Sequence, residues 1–313
     1  MTTDHLELVA KIVGKELNEK PQVIERMTMG ICNEVYKVTL SNKVVIVRMN
    51  KDEFELIGSN KHLPLFASLG IKVPLILASD YTKTLFSYAY QIQSFLPGED
   101  IGVVIETLTD DELKEIAKEI VKIFRALEKL PTNGKYGWVG GDESRLVGSW
   151  TEIMKVQKIE ERNNKTGVVG DELIQKSKEL FEEYKGYFDS VPPTYYYDDL
   201  SSKNVLIENG KFSGLVDIDT IVYGDPLEAV GGIKASWFGT RHGEVYTKAI
   251  EDELDLTKEQ RKIVTMYALF SRIWWLSERG IKFNDNTSGE IDEVLVRKDK
   301  EIIEGLFAEF KNF

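Results

Sequence analysis

The sequence predicts an α+β fold of two unequal lobes, a small β-rich N-terminal lobe and a larger, mostly helical C-terminal lobe. Three observations predict it. Strand-like alternation and β-branched runs dominate as far as residue 95. The turn Leu96-Pro97-Gly98 is then followed by long helical periods. Within those helices one hairpin is embedded, turning at Asn209-Gly210. The expected division is 1–95 and 96–313, with a hinge at about 93–98.

Composition bounds the function. The 313 residues are 42% hydrophobic and 29% charged, too apolar for disorder and too evenly mixed for a fibre. With 40 Lys+Arg against 52 Asp+Glu the net charge is −12, which repels nucleic acid and anionic membrane surfaces and favours cationic small molecules where acidity converges on a cleft. The single cysteine, Cys32, excludes an internal disulfide, and no Cys/His cluster has zinc spacing, so a reducing, cytoplasmic compartment is expected. The start is charged within its apolar stretch and does not read as a signal peptide, and no run of about 18 apolar residues occurs.

In chain order, Thr3 or Asp4 is a plausible cap for a short amphipathic helix carrying Leu8, Val9, Ile12 and Val13. The stretch Val23 to Leu40 alternates loosely and turns at Ser41-Asn42 into the β-branched run Val44–Val47, which ends at Arg48. Residues 52–69 read as one poorly capped helix, followed by strands around Leu75–Ala78 and Leu85–Phe95. Thr109 or Asp110 caps a long helix with Leu113, Ile116, Ala117, Ile120, Phe124 and Leu127 on one face. A second helix spans about Asp171–Phe188. Val205–Ile207 and Phe212–Val216 form the embedded hairpin. A capping box at Thr257–Gln260 opens a helix running through Trp274-Trp275, and a last helix covers about 291–310.

The chemistry concentrates around that hairpin. Asp199 is followed by Asn204, and Asp217 and Asp219 come after the hairpin's second strand. A hairpin brings its two ends together, so these oxygens converge. Carboxylate and amide oxygens suit Mg2+, which takes one or two protein carboxylates, retains waters and binds nucleotide phosphates. Phosphoryl transfer needs such a set, together with a cation for the phosphates, for which Arg48 at the end of its strand is the candidate. Each feature alone has a plain structural reading: an Asp-x-x-x-x-Asn is common in loops, Asp217-Ile218-Asp219 caps turns, and an arginine at a strand end pairs with surface acids. Their ordered combination is far rarer.

The run Tyr197–Ile207, then Gly214–Asp219, then Tyr223-Gly224-Asp225-Pro226 resembles the aminoglycoside phosphotransferase and choline-kinase-like family, whose pattern reads H-G-D-x-x-x-x-N-V-L, then I-D-W-D, then G-D-P. The order of lobes extends the resemblance to about residues 20–280, while the sharp motifs cover 197–226. It implies a protein-kinase-like fold and phosphorylation of a small-molecule hydroxyl by ATP or GTP. Residue by residue, it implies Asp199 as catalytic base, Asn204 and Asp217 as Mg2+ ligands, and Arg48 in the place of the usual strand lysine; Asp219 is expected as a secondary metal ligand or water-holder. It further implies that backbone groups of the hinge, at Gln93, Ser94 and Phe95, bind the nucleotide base.

Three departures stand out. Tyr197-Asp198 replaces the usual His-Gly, setting two carboxylates side by side; spacing to Asn204 selects Asp199, while Asp198 raises the pKa of the base or touches a cationic substrate. The phosphate loop, MTMGICNEVYKV, has only Gly30. The usual partner glutamate of the strand cation would fall near Lys61-His62, with Glu53 and Glu55 nearby and the assignment open. Blander readings attach to Asp225, Pro226 and Glu228 as a helix start, to Trp237, Trp274 and Trp275 as core with at most one facing substrate, and to Lys203 as either a phosphate contact or a solvated side chain. The expected activity is therefore a small-molecule kinase with an aminoglycoside-type acceptor. Choline or another amino alcohol, a macrolide or another metabolite are the alternatives, and an inactive nucleotide-binding protein of the same fold is the rival of another class.

Overall fold

The computed structural model describes residues 3–27, 32–282 and 288–313. The expected cap at Thr3 or Asp4, by its side chains, and Gly30 of the phosphate loop lie outside what is described.

Helix α1 (Thr3–Leu17) places Val9, Ile12 and Val13 at helical spacing, and all three are fully buried. They pack on a five-stranded antiparallel sheet of order β1-β2-β3-β5-β4, comprising β1 (Val23–Met27), β2 (Glu34–Thr39), β3 (Val44–Asn50), β4 (Ile76–Asp80) and β5 (Ala89–Ser94). Inward-facing Tyr36, Val38, Val45, Val47 and Ile92 complete this small core, each aliphatic side chain contributing about 1.5–3 kcal/mol by burial. The stretch Val23–Leu40 is thus two paired strands rather than one, and the strands expected at Leu75–Ala78 and Leu85–Phe95 are shifted and trimmed.

The helix expected over 52–69 is two, α2 (Phe54–Ile57) and α3 (Ser59–Ser68), divided at Gly58. Gly58 keeps helical backbone angles, φ −63° and ψ −37°, and only glycine fits there, since a Cβ would lie 1.9 Å from the Asp219 carbonyl oxygen of the loop that follows the embedded hairpin. Leu63 and Phe66 of α3 pack into the core of the large lobe, not that of the sheet.

Beyond the hinge come β6 (Glu99–Asp100), the single-turn α4 (Ile101–Val104) and α5 (Asp110–Leu127). A capping box starts α5: Thr109 Oγ1 accepts from Glu112 N at 3.3 Å, and Glu112 Oε2 accepts from Thr109 N at 2.8 Å. All six expected apolar residues of α5 are buried. The chain continues through β7 (Gly137–Val139), α6 (Trp150–Ile153), α7 (Gln157–Thr166) and α8 (Asp171–Ser190) to β8 (Thr194–Tyr196). The hairpin is β9 (Val205–Glu208) and β10 (Lys211–Leu215), with Asn209 and Gly210 both at positive φ. Then follow β11 (Ile221–Gly224), α9 (Leu227–Trp237), α10 (Arg241–Glu253), α11 (Lys258–Glu278), opened by the Thr257–Gln260 capping box, and α12 (Glu293–Lys311), capped by Asp292.

Two small sheets, β10-β9-β6 and β7-β11-β8, carry the loops that matter. The second was only partly visible in the sequence, since β7 is three residues long with no alternation to read. Among the described residues, no helix is long and apolar enough to cross a membrane.

Candidate active site

The loop 197–204 links β8 to β9, and the loop 216–220 links β10 to β11. Val216 N donates to Asn204 O at 3.0 Å, so the two loops leave the open end of the hairpin side by side. Asn204 and Asp217 both take left-handed backbone conformations, with φ of 70° and 61°. Asn and Asp tolerate that region better than other side chains, and strain of this kind collects at functional sites.

Asn204 Nδ2 donates to Asp199 Oδ2 at 2.6 Å. The two residues expected to act together are therefore in direct contact. Asp199 is exposed on the cleft floor, yet the protein around it displaces enough water to matter. That burial, with the charges of Asp198 and Asp217, raises its carboxyl to about 7, against the pull of Asn204 and Lys203.

Arg48 comes from β3, and its guanidinium is buried. Nη1 donates to Asp219 Oδ1 at 2.8 Å, and Nη2 to Asp219 Oδ2 at 2.5 Å and to Asp217 Oδ1. Burial opposes its charge, but the two carboxylates outweigh that and raise its pKa. Asn33 Nδ2 adds a bond to Asp219 Oδ2 at 3.1 Å, so both oxygens of Asp219 are engaged. Among the described residues the partners of the strand cation lie across the cleft. Glu53 pairs with Lys83, and the Glu55 carbonyl accepts from Asn33 at 3.3 Å. His62 is buried instead against β7: its Nε2 lies 3.0 Å from Val139 O and its Nδ1 3.4 Å from Tyr195 OH, and burial lowers its pKa to about 4.

The departures from the family pattern acquire physical roles. Tyr197 is buried, and its hydroxyl donates to the carbonyls of Val216 and Asp217 at 3.2 Å each, holding the carboxylate-bearing loop. Asp198 accepts from Trp138 Nε1 at 2.8 Å, which ties its carboxylate to β7. Asp225 is structural: Oδ1 accepts from Leu227 N at 3.1 Å at the start of α9, and Oδ2 accepts from Tyr187 and Tyr267.

Beside Asp199 lies a cavity of about 470 Å³ whose lining includes Trp138, Asp198, Glu228, Trp274 and Trp275. Sequence reasoning assigned Glu228 to a helix start and allowed one of the late tryptophans to face a substrate; in the fold Glu228 and both Trp274 and Trp275 face this space. Adjacent residues on a helix diverge by about 100°, but this stretch of α11 runs along the cavity wall and presents both. Burial and the neighbouring Asp198 push the Glu228 carboxyl up to about 8, and Tyr196 OH donates to it at 3.2 Å. Neither Asp198 nor Glu228 has an ion-pair partner among the described residues. Trp138 and Glu228 carried no readable signal, since each depends on which element packs opposite. A larger groove of about 670 Å³, between α5 and the hairpin tip, lies away from these groups.

At the hinge, Gln93 is buried with Nε2 donating to Gln91 Oε1 at 2.7 Å, and Ser94 is tied to β4, its N donating to Leu75 O and its Oγ accepting from Leu75 N, each at 2.8 Å. Phe95 sits under Lys37, 5.2 Å from ring centre to Nζ. Among the described residues no three His, Cys, Asp or Glu side chains form a metal cage. Asp217 and Asn204 remain, an exposed carboxylate and an amide whose Oδ1 is not spent on Asp199, and such a pair fits Mg2+ completed by water and phosphate oxygens.

Comparison with known proteins agrees with this geometry. Similar solved structures include a thermostable mutant of aminoglycoside phosphotransferase APH(4)-Ia in ternary complex with AMP-PNP and hygromycin B, at 15% identity over 97% of each chain with a TM-score of 0.68. The GDP complex of wild-type aminoglycoside 2'-phosphotransferase-IIIa matches at 15% identity over 98% of this chain and 99% of that one, with a TM-score of 0.70. A putative fructosamine-3-kinase from Haemophilus somnus 129PT matches at 14% identity over 95% and 96%, with a TM-score of 0.63. No curated protein matches the chain. These likenesses show the fold, the two-lobed protein-kinase-like architecture. The model of the phosphotransferase enzyme family (APH) matches residues 23–261, spanning the sheet that bears Arg48, the hinge and the hairpin with both its loops, and the chain belongs to that family.

Proposed function

We propose that this phosphotransferase moves the terminal phosphate of ATP or GTP to a hydroxyl of a small cationic acceptor, with an aminoglycoside-type amino sugar as first choice. One observation carries the reading: Asp199, bonded to Asn204 at 2.6 Å, borders a cavity of about 470 Å³ in which the carboxylates of Asp198 and Glu228 lack a cationic partner among the described residues. The two neighbours solved with an aminoglycoside phosphotransferase name, one holding hygromycin B, support the first choice of acceptor.

In this mechanism Asp199 accepts a hydrogen bond from the acceptor hydroxyl and orients it for in-line attack, and its raised pKa suits it to take the proton near neutral pH. Asn204 and Asp217 would hold Mg2+, which when bound neutralises charge on the phosphates. Arg48, positioned by Asp219, would supply the cation for phosphate oxygens. Base recognition would fall to backbone groups at Gln93, Ser94 and Phe95 other than the Ser94 N–H, which Leu75 O takes, the side chains of Gln93 and Ser94 being committed too. Asp198 would receive an ammonium group of the acceptor, and Glu228, neutral in the empty cavity at pH 7, would ionise where a second ammonium binds beside it.

The test is a phosphate-transfer screen with ATP and GTP over amino sugars, choline and other amino alcohols, macrolides and simple amines. Transfer to amine-bearing alcohols is expected. Efficient transfer to a macrolide alone would overturn the cationic acceptor, and nucleotide binding without transfer to any class would favour an inactive nucleotide-binding protein.

A further inference from the structure

Asp100 stands where the chain leaves the hinge, at the end of β6 and one residue before α4. An aspartate in that position ordinarily accepts a hydrogen bond from its own helix, at a gain of about 1 kcal/mol. This one makes no such bond. Its Oδ1 instead accepts from the backbone N of Asn204 at 2.8 Å, across 104 residues of sequence. Asn204 is buried and left-handed, with φ of 70°, and its side chain is the one that grips Asp199. A residue in that strained conformation keeps it only where the surroundings over-determine it.

A second contact acts on the same loop. Gly102 N donates to Ser202 O at 2.9 Å, and the approach is so close that a Cβ on Gly102 would lie 2.4 Å from that oxygen. The segment 100–102 thus holds the loop 199–204 at two points, and β6 adds the strand pairing of Asp100 with Leu206.

We infer that Asp100 is a positioning residue for the metal: by accepting the Asn204 N–H it fixes the backbone from which the Asn204 amide oxygen is presented. The inference rests on Asn204 being a metal ligand, as proposed above. Groups that orient metal ligands from behind typically matter about 10–100-fold in metal affinity. Asp100 acts through Asn204 and touches neither phosphate nor acceptor.

The experiment compares Asp100→Ala, Asp100→Ser, Asp100→Asn and Asn204→Ala in the full chain, measuring the apparent KM for Mg2+, the KM of the acceptor identified by the screen, kcat and Tm. Serine keeps a good helix cap but is too short to reach Asn204, so it carries the test should the alanine variant not fold. Asparagine keeps an oxygen at the Oδ1 position. Asp100→Ala and Asp100→Ser are expected to raise the KM for Mg2+ about tenfold with acceptor KM unchanged, and Asp100→Asn is expected to restore most of it. Should Asn204→Ala raise the KM for Mg2+ while the alanine and serine variants of Asp100 leave it alone, the inference fails and the metal site stands. Should Asn204→Ala leave it alone, both fall. A parallel rise in the KM values for Mg2+ and acceptor with a lowered Tm, or no rescue by asparagine, would assign Asp100 a purely structural role and overturn the inference.

Discussion

The guanidinium of Arg48 forks onto the carboxylate of Asp219, Nη1 to Oδ1 at 2.8 Å and Nη2 to Oδ2 at 2.5 Å, joining residues 171 apart in sequence. The bond runs from the small sheet to the loop following the embedded hairpin, and Nη2 reaches Asp217 as well. Geometry of this kind is specific to arginine, whose planar fork meets a carboxylate at two points. Replacing Arg48 with methionine leaves the largely buried Asp219 carboxylate without its cation, and a loss of about 3 kcal/mol in denaturant unfolding is expected. Arg48→Lys keeps the charge but not the fork, and should fall between the two in stability while raising the nucleotide KM.

Asp199→Asn removes the proton acceptor but keeps an oxygen for Asn204. It should lower kcat by about 10²–10⁴ with nucleotide affinity nearly intact. Asp198→Asn should cost less rate; the reverse ranking would move the base to Asp198. Because the Asp199 carboxyl is raised to about 7, kcat/KM of the parent should climb with pH up to about 7 and then level, and bound cation can only lower that midpoint.

Asp217 and Asp219 should separate in calorimetry. Asp217→Ala is expected to abolish Mg2+-dependent nucleotide binding, since the carboxylate proposed to ligate the metal is lost. Asp219→Ala should weaken that binding less and lower Tm more, because both oxygens of Asp219 serve Arg48 and Asn33. Unchanged Mg·nucleotide affinity in the Asp217 variant would remove that residue from the metal site.

Acceptor binding should depend on salt. With a Debye length of about 8 Å at physiological ionic strength, attraction between an ammonium acceptor and the acidic lining of the cavity, Asp198 first, weakens as salt rises, so the acceptor KM should increase with kcat changing less. Because the Glu228 carboxyl is raised to about 8, Glu228→Gln should change the acceptor KM little at pH 7 and raise it above pH 8, where the parent carboxyl is ionised. A salt-independent KM in the parent, for an acceptor turned over efficiently, would indicate a neutral substrate.

His62 should shape the acid limb of stability. Buried between α3 and β7, it titrates at about 4 in the folded chain and near 6.5 when exposed. The unfolded state therefore binds the extra proton first, and stability falls as pH drops from about 6.5 toward 4. His62→Gln should cost about 1–3 kcal/mol at neutral pH by disturbing the bonds to Val139 and Tyr195, and should flatten that limb.

How much of this was legible depended on the range over which each interaction acts. The face of α5, its Thr109–Glu112 capping box, the Thr257–Gln260 box and the Asn209-Gly210 turn are set by residues within a few positions of one another, so periodicity and cap chemistry disclosed them. Asp199, Asn204, Asp217 and Asp219 stood out because one tight hairpin separates them. The close approach of Gly58 to the Asp219 backbone was not legible, because the two are far apart in sequence, and neither was the three-residue strand β7, which exists through its pairing with β11. The sequence by itself determined the two-lobed fold, the net charge of −12 and the spacing that brings Asp199, Asn204, Asp217 and Asp219 to one end of the hairpin. Only the tertiary structure decided that Arg48 is held by Asp219 and Asp217 across the cleft, that Trp138 bonds Asp198, and that Glu228 faces the cavity; each depends on orientation between elements distant in sequence, which packing of the assembled core sets and no local pattern encodes.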